Sequence, residues 1–321
     1  MKQSKSTNYS TMKKLFLSSA LSIASLAIAP SVLGGPGEPP NGENTLNDCM
    51  TSAGGGCGIT PTKFSTKIYK VALCATNPMT RDRALSGLAP DWDGSGCVDV
   101  YNSTSGEETG DIFSDTGATL SAENITVPEP GTFGFVAAIF DTEFKAASHH
   151  MVYDTGGPNT INGIRYVSTS AGGAIAGEIG EEQMVTGYFN TFMPQIACSN
   201  EAGIAERTAT TGNSGIFTNF LSGGESFFGR ILKSDFTLAT EDTGNINNNS
   251  AACAGAEYLL SIVDKSTTIS ENAEGIHIKI LAPKGLMRAD QGDANPADGV
   301  VTGFSAHGEN MAVTVSQTTG S

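Results

Sequence analysis

An antiparallel β-sandwich, all-β with little helix and one loop-rich insertion, is the fold class that this 321-residue sequence predicts. Three observations carry the prediction. Near the C-terminus, Ile276, Ile278 and Ile280 alternate with His277 and Lys279, and Met311, Val313 and Val315 alternate with Ala312, Thr314 and Ser316. That period of two is the pattern of strands with one buried face. Glycine is abundant, with 39 residues, while charged residues make up only 16%. Long helices want Ala, Leu, Glu and Lys, so this balance disfavours them. Finally, Ser, Thr, Asn and Gly crowd the stretches between apolar runs, as turns joining short strands require.

Taken in order, the chain opens with Lys13 and Lys14 ahead of an apolar stretch, Leu15 to Ala29, that gives way to small residues, Pro and Gly. A basic start, an apolar core of roughly 7 to 15 residues and a small-residue cleavage region make a secretory signal, expected over residues 1–34. The run is short and holds Ser18, Ser19, Ser22 and Ser25, so it is a poor membrane span, which needs about 20 apolar residues. Residues 35–60 read as a flexible Gly/Pro-rich tether ending in a small disulfide loop.

Strands are expected over Thr62 to Cys74, with Tyr69, Val71 and Leu73 on one face, and over Cys97 to Tyr101 and Asn124 to Val127. Val127-Pro128-Glu129-Pro130-Gly131-Thr132 resembles the PEP-CTERM sorting signal. It lies mid-chain, lacks a closing basic cluster, and reads instead as a turn feeding a buried strand, Phe133 to Phe140. Ile164 to Val167 is a further strand, Ser168 to Gly177 a flexible joint, and Glu181 to Met193 a short helix limited by Gly187 and Pro194. Residues 61–170 and 256–321 should form the sandwich, with 171–255 as the insertion or a second lobe.

Removing the signal's four lysines (Lys2, Lys5, Lys13, Lys14) leaves 14 basic against 33 acidic residues, a net charge of -19. That opposes contact with nucleic acid or anionic lipid and favours cations. The six cysteines lie beyond residue 34, and an even count in an exported chain reads as three disulfides. Pairing nearest neighbours gives Cys49 with Cys57, Cys74 with Cys97, and Cys198 with Cys253. A zinc site is disfavoured, because no CxxC occurs and no histidine lies close to a cysteine.

Asp91 to Asn102 is the best local candidate for chemistry. Asp91, Asp93 and Ser95 stand at alternate positions, Gly96 at a turn, and Asp99 and Asn102 follow. The segment resembles an EF-hand calcium loop, in which alternate residues point oxygens inward, although Asn102 replaces the closing bidentate Glu. The resemblance implies a calcium site at Asp91, Asp93, Ser95, Asp99 and Asn102. The alternative is an Asp/Gly/Ser turn tied down by Cys97. Asp290, Asp293, Asn295 and Asp298 form a weaker acidic loop of the same kind.

Catalytic signatures are missing from the pattern. His149 and His150 are adjacent and would point to opposite faces of a strand, His277 sits on a polar face, and His307 precedes a glycine. No HExxH or GxSxG occurs. The sequons at Asn102, Asn124 and Asn248 matter only in a eukaryotic secretory route. The expectation is therefore a secreted, non-catalytic protein of the cell surface or extracellular space, with the periplasm as the other compartment. It would be structural or adhesive, or a calcium-stabilised fibre subunit whose residues Asn44 to Thr60 complete a neighbour's sheet. A module binding extracellular polysaccharide is the alternative, and an exported hydrolase the weakest reading. Expected partners are further copies of itself or matrix polysaccharide, with no nucleic acid and no membrane span.

Overall fold

The computed structural model describes residues 56–59, 61–112, 118, 120–152, 164–189, 196–197, 207–208, 226–241, 253–281, 287–290, 303–306 and 311–319. The first strands are β1 (Gly56–Ile59), β2 (Lys63–Cys74), β3 (Cys97–Glu108), β4 (Gly131–Ala147) and β5 (His149–Val152), with a helix of one turn, α1 (Arg81–Leu85), between β2 and β3. Short strands follow: β6 (Ile164–Ser168), β7 (Ala174–Ala176), β8 (Val185–Tyr188), β9 (Ile196–Ala197) and β10 (Arg207–Thr208). After them come β11 (Ser226–Leu232), β12 (Thr240–Glu241), β13 (Cys253–Ala254), β14 (Tyr258–Ile269) and β15 (Ala273–Leu281). The last three are β16 (Met287–Asp290), β17 (Gly303–Ala306) and β18 (Ala312–Thr319).

The fold is all-β and sandwich-like, built mostly from antiparallel sheets packed together. Its centre is an eight-stranded sheet in the order β10-β11-β14-β4-β2-β3, with β8 added beside β4 and β9 beside β11. β8 and β11 come from the 171–255 stretch. Smaller sheets are β1-β16-β17, β5-β6-β7, β12-β13 and β15-β18.

Apolar residues lie on both faces of the central sheet, as strands flanked on both sides require. One face gathers Phe64, Ile68, Val71 and Leu73 of β2, Ala138, Phe140 and Phe144 of β4, and Leu259 of β14, packed with Val313 and Val315 of β18. Rings pack in series there, Phe64 on Phe144 at 5.7 Å and Phe144 on Phe189 at 4.5 Å between centroids. The second face gathers Ala72, Cys74, Ala137, Ile139, Leu260 and Ile262 under Met79, Ala84 and Leu238. Each fully buried Leu, Ile or Phe contributes about 1.5–3 kcal/mol, so this two-sided core is the main stabilising term.

The sheet's long edges are blunted. β10 has two residues. On β3, the residues between Asn102 and Glu107 swing out of register with β2, and Ile125 bridges Tyr101 from outside. Short or irregular edges of this kind resist further strand pairing.

Several sequence-based expectations change. Tyr69 does not share a face with Val71 and Leu73: Ile68 pairs with Phe140 and Lys70 with Ile139, so Tyr69 is an extra, bulged residue and its ring joins the second face. Phe133 packs with the first cluster while Phe135 packs with the second, across a register shift in β14. The Asn124 to Val127 strand is a 3-10 turn, Ala122–Asn124, followed by a single bridge at Ile125. Ser168 to Gly177 is a hairpin carrying β7. The helix expected from Glu181 is instead β8, where Val185 and Gly187 are buried and Thr186 and Tyr188 exposed, a period of two that outweighs helix propensity. Of the expected donor segment, Gly56–Ile59 is β1, paired with β16 of its own chain. Thr62 to Cys74, Phe133 to Phe140 and the two C-terminal alternations fall on β2, β4, β15 and β18.

Candidate functional site

A row of aromatic side chains crosses the second face from the β11 hairpin to the turn before β3. The hairpin starts it. Phe236 N–H donates to the Lys233 carbonyl (2.9 Å) and Lys233 N–H to the Thr237 carbonyl (2.8 Å). This is a tight turn that ends in one left-handed residue, a position that favours Gly or Asn. Here it is Phe236, at φ 63°, the non-glycine residue with positive φ among those described. Asp235 braces the turn by accepting the Thr237 N–H (2.9 Å) and hydroxyl (2.6 Å), and these bonds, the hydroxyl's first, lower its pKa.

Phe236 is 38% exposed and stacks on Tyr258 of β14, with centroids 5.0 Å apart and planes 13° off parallel. Tyr258 meets Tyr69 of β2 edge to face at 5.1 Å. A left-handed backbone costs an ordinary residue about 1–2 kcal/mol, whereas an aromatic pair contributes about 0.5–1.5 kcal/mol beyond burial. Stacking therefore offsets much of the strain, and burial of the covered part of the ring adds to it.

The β2 bulge supplies the middle of the row. Bulges re-aim side chains, and this one brings both Tyr69 and Lys70 to the second face. The Tyr69 hydroxyl donates to Asp141 Oδ2 (3.3 Å), and burial together with that carboxylate pushes its pKa up to about 12. Gly106 of β3, at φ 70°, lies against the same ring: a Cβ there would stand 2.7 Å from Tyr69 Cε1 and 2.5 Å from Lys67 Cδ. Lys70 Nζ sits 4.4 Å from the Trp92 ring centroid and 2.7 Å from Asp99 Oδ1. Beside the row, a groove of about 140 Å³ is lined by Ser65, Lys67, Glu108, Asp141, Glu143 and Lys145.

Trp92 stands in the segment expected to bind calcium. Asp91 Oδ1 accepts the Gly94 N–H (3.0 Å) and its Oδ2 lies 3.4 Å from Arg83 Nη1. Asp93 is exposed, and its carbonyl accepts the Gly96 N–H. Buried Ser95 donates its hydroxyl to the Asn77 carbonyl (3.3 Å). Asp99 and Asn102 come together on β3, where Asn102 Nδ2 donates to Asp99 Oδ2 (2.9 Å). Asp91 and Asp99 thus each face a cation of the chain itself. No group of three or more His, Cys, Asp and Glu placed to hold a metal occurs among the described residues. In the second acidic loop, Asp290 ends β16, and Asp293, Asn295 and Asp298 lie outside the described residues.

Cys74 and Cys97 are bonded, directly opposite each other on β2 and β3, and close off the turn that carries Trp92. Cys253 is disulfide-bonded. Cys57 lies on β1; Cys49 and Cys198, like His307 and Asn248, fall outside the described residues.

Two carboxylates away from the row hold loops in place. Glu107 accepts four bonds, from the Ser121 N–H and hydroxyl (both 2.7 Å), the Tyr101 hydroxyl (2.8 Å) and Asn124 Nδ2 (3.1 Å). Burial raises its pKa, but these donors, Ser121 first, outweigh burial and lower it. Glu182 accepts from Lys63 Nζ (3.0 Å), the Gly180 N–H (3.0 Å) and His149 Nδ1. Burial opposes its ionisation too, yet the lysine and the amide donors bring its pKa down to about 2. His150 shares β5 with His149, and His277 is exposed on β15.

The aromatic row escapes sequence reading because its members lie far apart along the chain and two of them depend on irregular backbone, a bulge and a left-handed turn residue. The available signal is Lys-Ser-Asp-Phe-Thr, a turn sequence with an aromatic where glycine belongs. No helix among the described residues is long and apolar enough to cross a membrane. No family model matches the chain, and neither a curated protein nor a solved structure matches it.

Proposed function

We propose that this chain is an exported surface protein that works by non-covalent adhesion and not by turnover. The observation that carries the reading is the aromatic row, which keeps a strained, partly exposed phenylalanine on a two-sided β core. The carboxylates with the deepest hydrogen-bond shells, Glu107 and Glu182, hold loops to strands, a structural use of charge. Export rests on the basic and apolar segment before residue 34 and agrees with the cross-strand disulfide Cys74–Cys97.

Beads coated with the secreted protein test the reading under flow over extracellular matrix, polysaccharide films and bare glass. Retention above that of albumin-coated beads on at least one biological surface is expected. Retention on none would overturn it.

A fibre subunit is a second reading, favoured by β15: it alternates regularly from Ile276 to Ile280 and, among the described residues, pairs on one side only, with β18. Light scattering and electron microscopy separate the two, since strand addition would yield filaments at micromolar concentration.

A further inference from the structure

We infer that the adhesive contact is a carbohydrate site, and that the row Phe236, Tyr258, Tyr69 and Trp92 binds a neutral polysaccharide. The inference rests on the adhesive reading above and names its partner. Sugar rings present apolar C–H faces and a rim of hydroxyls. A surface that recognises them therefore needs aromatic rings interleaved with hydrogen-bonding groups, and does not need apolar depth.

That is the composition here. Phe236 offers a partly exposed ring at one end, stacked on Tyr258 of β14, which meets Tyr69 of β2 edge to face; Lys70, next to Tyr69, reaches half-buried Trp92 at the other end. Between the rings stand Asp141, with an oxygen turned to the Tyr69 hydroxyl, and the Lys70–Asp99 pair beside Trp92. Ring steps of 5.0 and 5.1 Å place Phe236, Tyr258 and Tyr69 in one connected run, which Lys70 and Trp92 extend towards β3. The groove beside Asp141 extends the polar rim with Glu108, Glu143 and Lys145.

Charge narrows the class. Near the row Asp99, Asp141, Glu143 and Glu108 are accompanied by Lys70, Lys67 and Lys145, so the site itself favours neither sign, while the chain's overall charge of -15 repels a polyanionic glycan. Phe236 is the decisive residue. It carries the most exposed ring of the row, on a turn whose left-handed backbone glycine or asparagine would also accept.

Pull-down of the secreted protein on microcrystalline cellulose, chitin and cross-linked dextran, with alginate beads as the charged control, tests the inference. Retention on at least one neutral glycan is expected, with none on alginate. Phe236→Gly and Phe236→Asn, both suited to the left-handed turn, should weaken that retention at least tenfold while keeping a cooperative melting transition within a few degrees of the parent's. Three results would each overturn the inference: no neutral glycan retained, equal retention by both variants, or a dimer that Phe236→Gly abolishes in place of glycan binding. Bead retention on protein matrix without glycan binding would sink this inference and leave the adhesive reading standing, whereas loss of all bead retention sinks both.

Discussion

Replacing Glu182 by glutamine removes the one charge that Lys63, the Gly180 amide and His149 share. The carboxylate is almost fully buried, and its pKa falls from 4.5 to about 2 in the folded protein. Each pK unit is worth about 1.4 kcal/mol, so the full shift corresponds to about 3–4 kcal/mol. Lys63 is one-third exposed and its pairing is screened by solvent, which brings the expected loss to about 2 kcal/mol at pH 7. Because the folded pKa lies below the unfolded one, this stability is fully present above pH 4.5 and is lost as pH falls towards 2. Urea denaturation of parent and Glu182→Gln at pH 7, 4 and 2.5 measures the difference. The gap should be about 2 kcal/mol at pH 7 and should shrink to well under 1 kcal/mol at pH 2.5. A gap independent of pH would refute the assignment of that stability to the ionised carboxylate, and no gap at pH 7 would refute the clamp itself.

Other outcomes follow from the same contacts. Gly106→Ala should destabilise the fold by about 1–2 kcal/mol through its left-handed backbone, and should also displace Tyr69, seen as a changed near-ultraviolet tyrosine signal. Cys74→Ser with Cys97→Ser opens a loop of sequence separation 23 and should cost about 3 kcal/mol in thermal or urea unfolding; an unchanged midpoint would contradict it. Adding millimolar calcium should leave the melting temperature unchanged, because Arg83 and Lys70 already occupy positions beside Asp91 and Asp99. A calcium-dependent rise removed by Asp93→Ala would restore the EF-hand-like site.

Regular alternation made much of the frame legible. β15 and β18 stay in register from Gly275–Thr318 to Leu281–Ala312, and β4 is apolar on both faces because β18 packs on one and Met79, Ala84 and Leu238 on the other. Cys74 and Cys97 could be paired by proximity because the turn between them folds back locally. The candidate site was hidden by departures from periodicity. One bulged residue turned Tyr69 away from Val71, and β8 replaced a helix because Gly187 and Val185 meet β4 by burial, a tertiary effect that local propensity does not record. Phe236 could be found only by asking which turn residue stands in the wrong conformational class.

The central ladder has a consequence for how this chain comes to be folded. β4 pairs with β14, so Phe140 lies opposite Leu259, about 120 positions further along. Closing so distant a contact is slow, and the β-hairpins on either side cannot bury their apolar faces until both partners are present. On the export route proposed above, a chain emerging from its N-terminus stays loose until its last quarter arrives. That delay keeps it thin enough to thread a channel, and it places the final assembly step, together with the risk of mispairing, outside the cell.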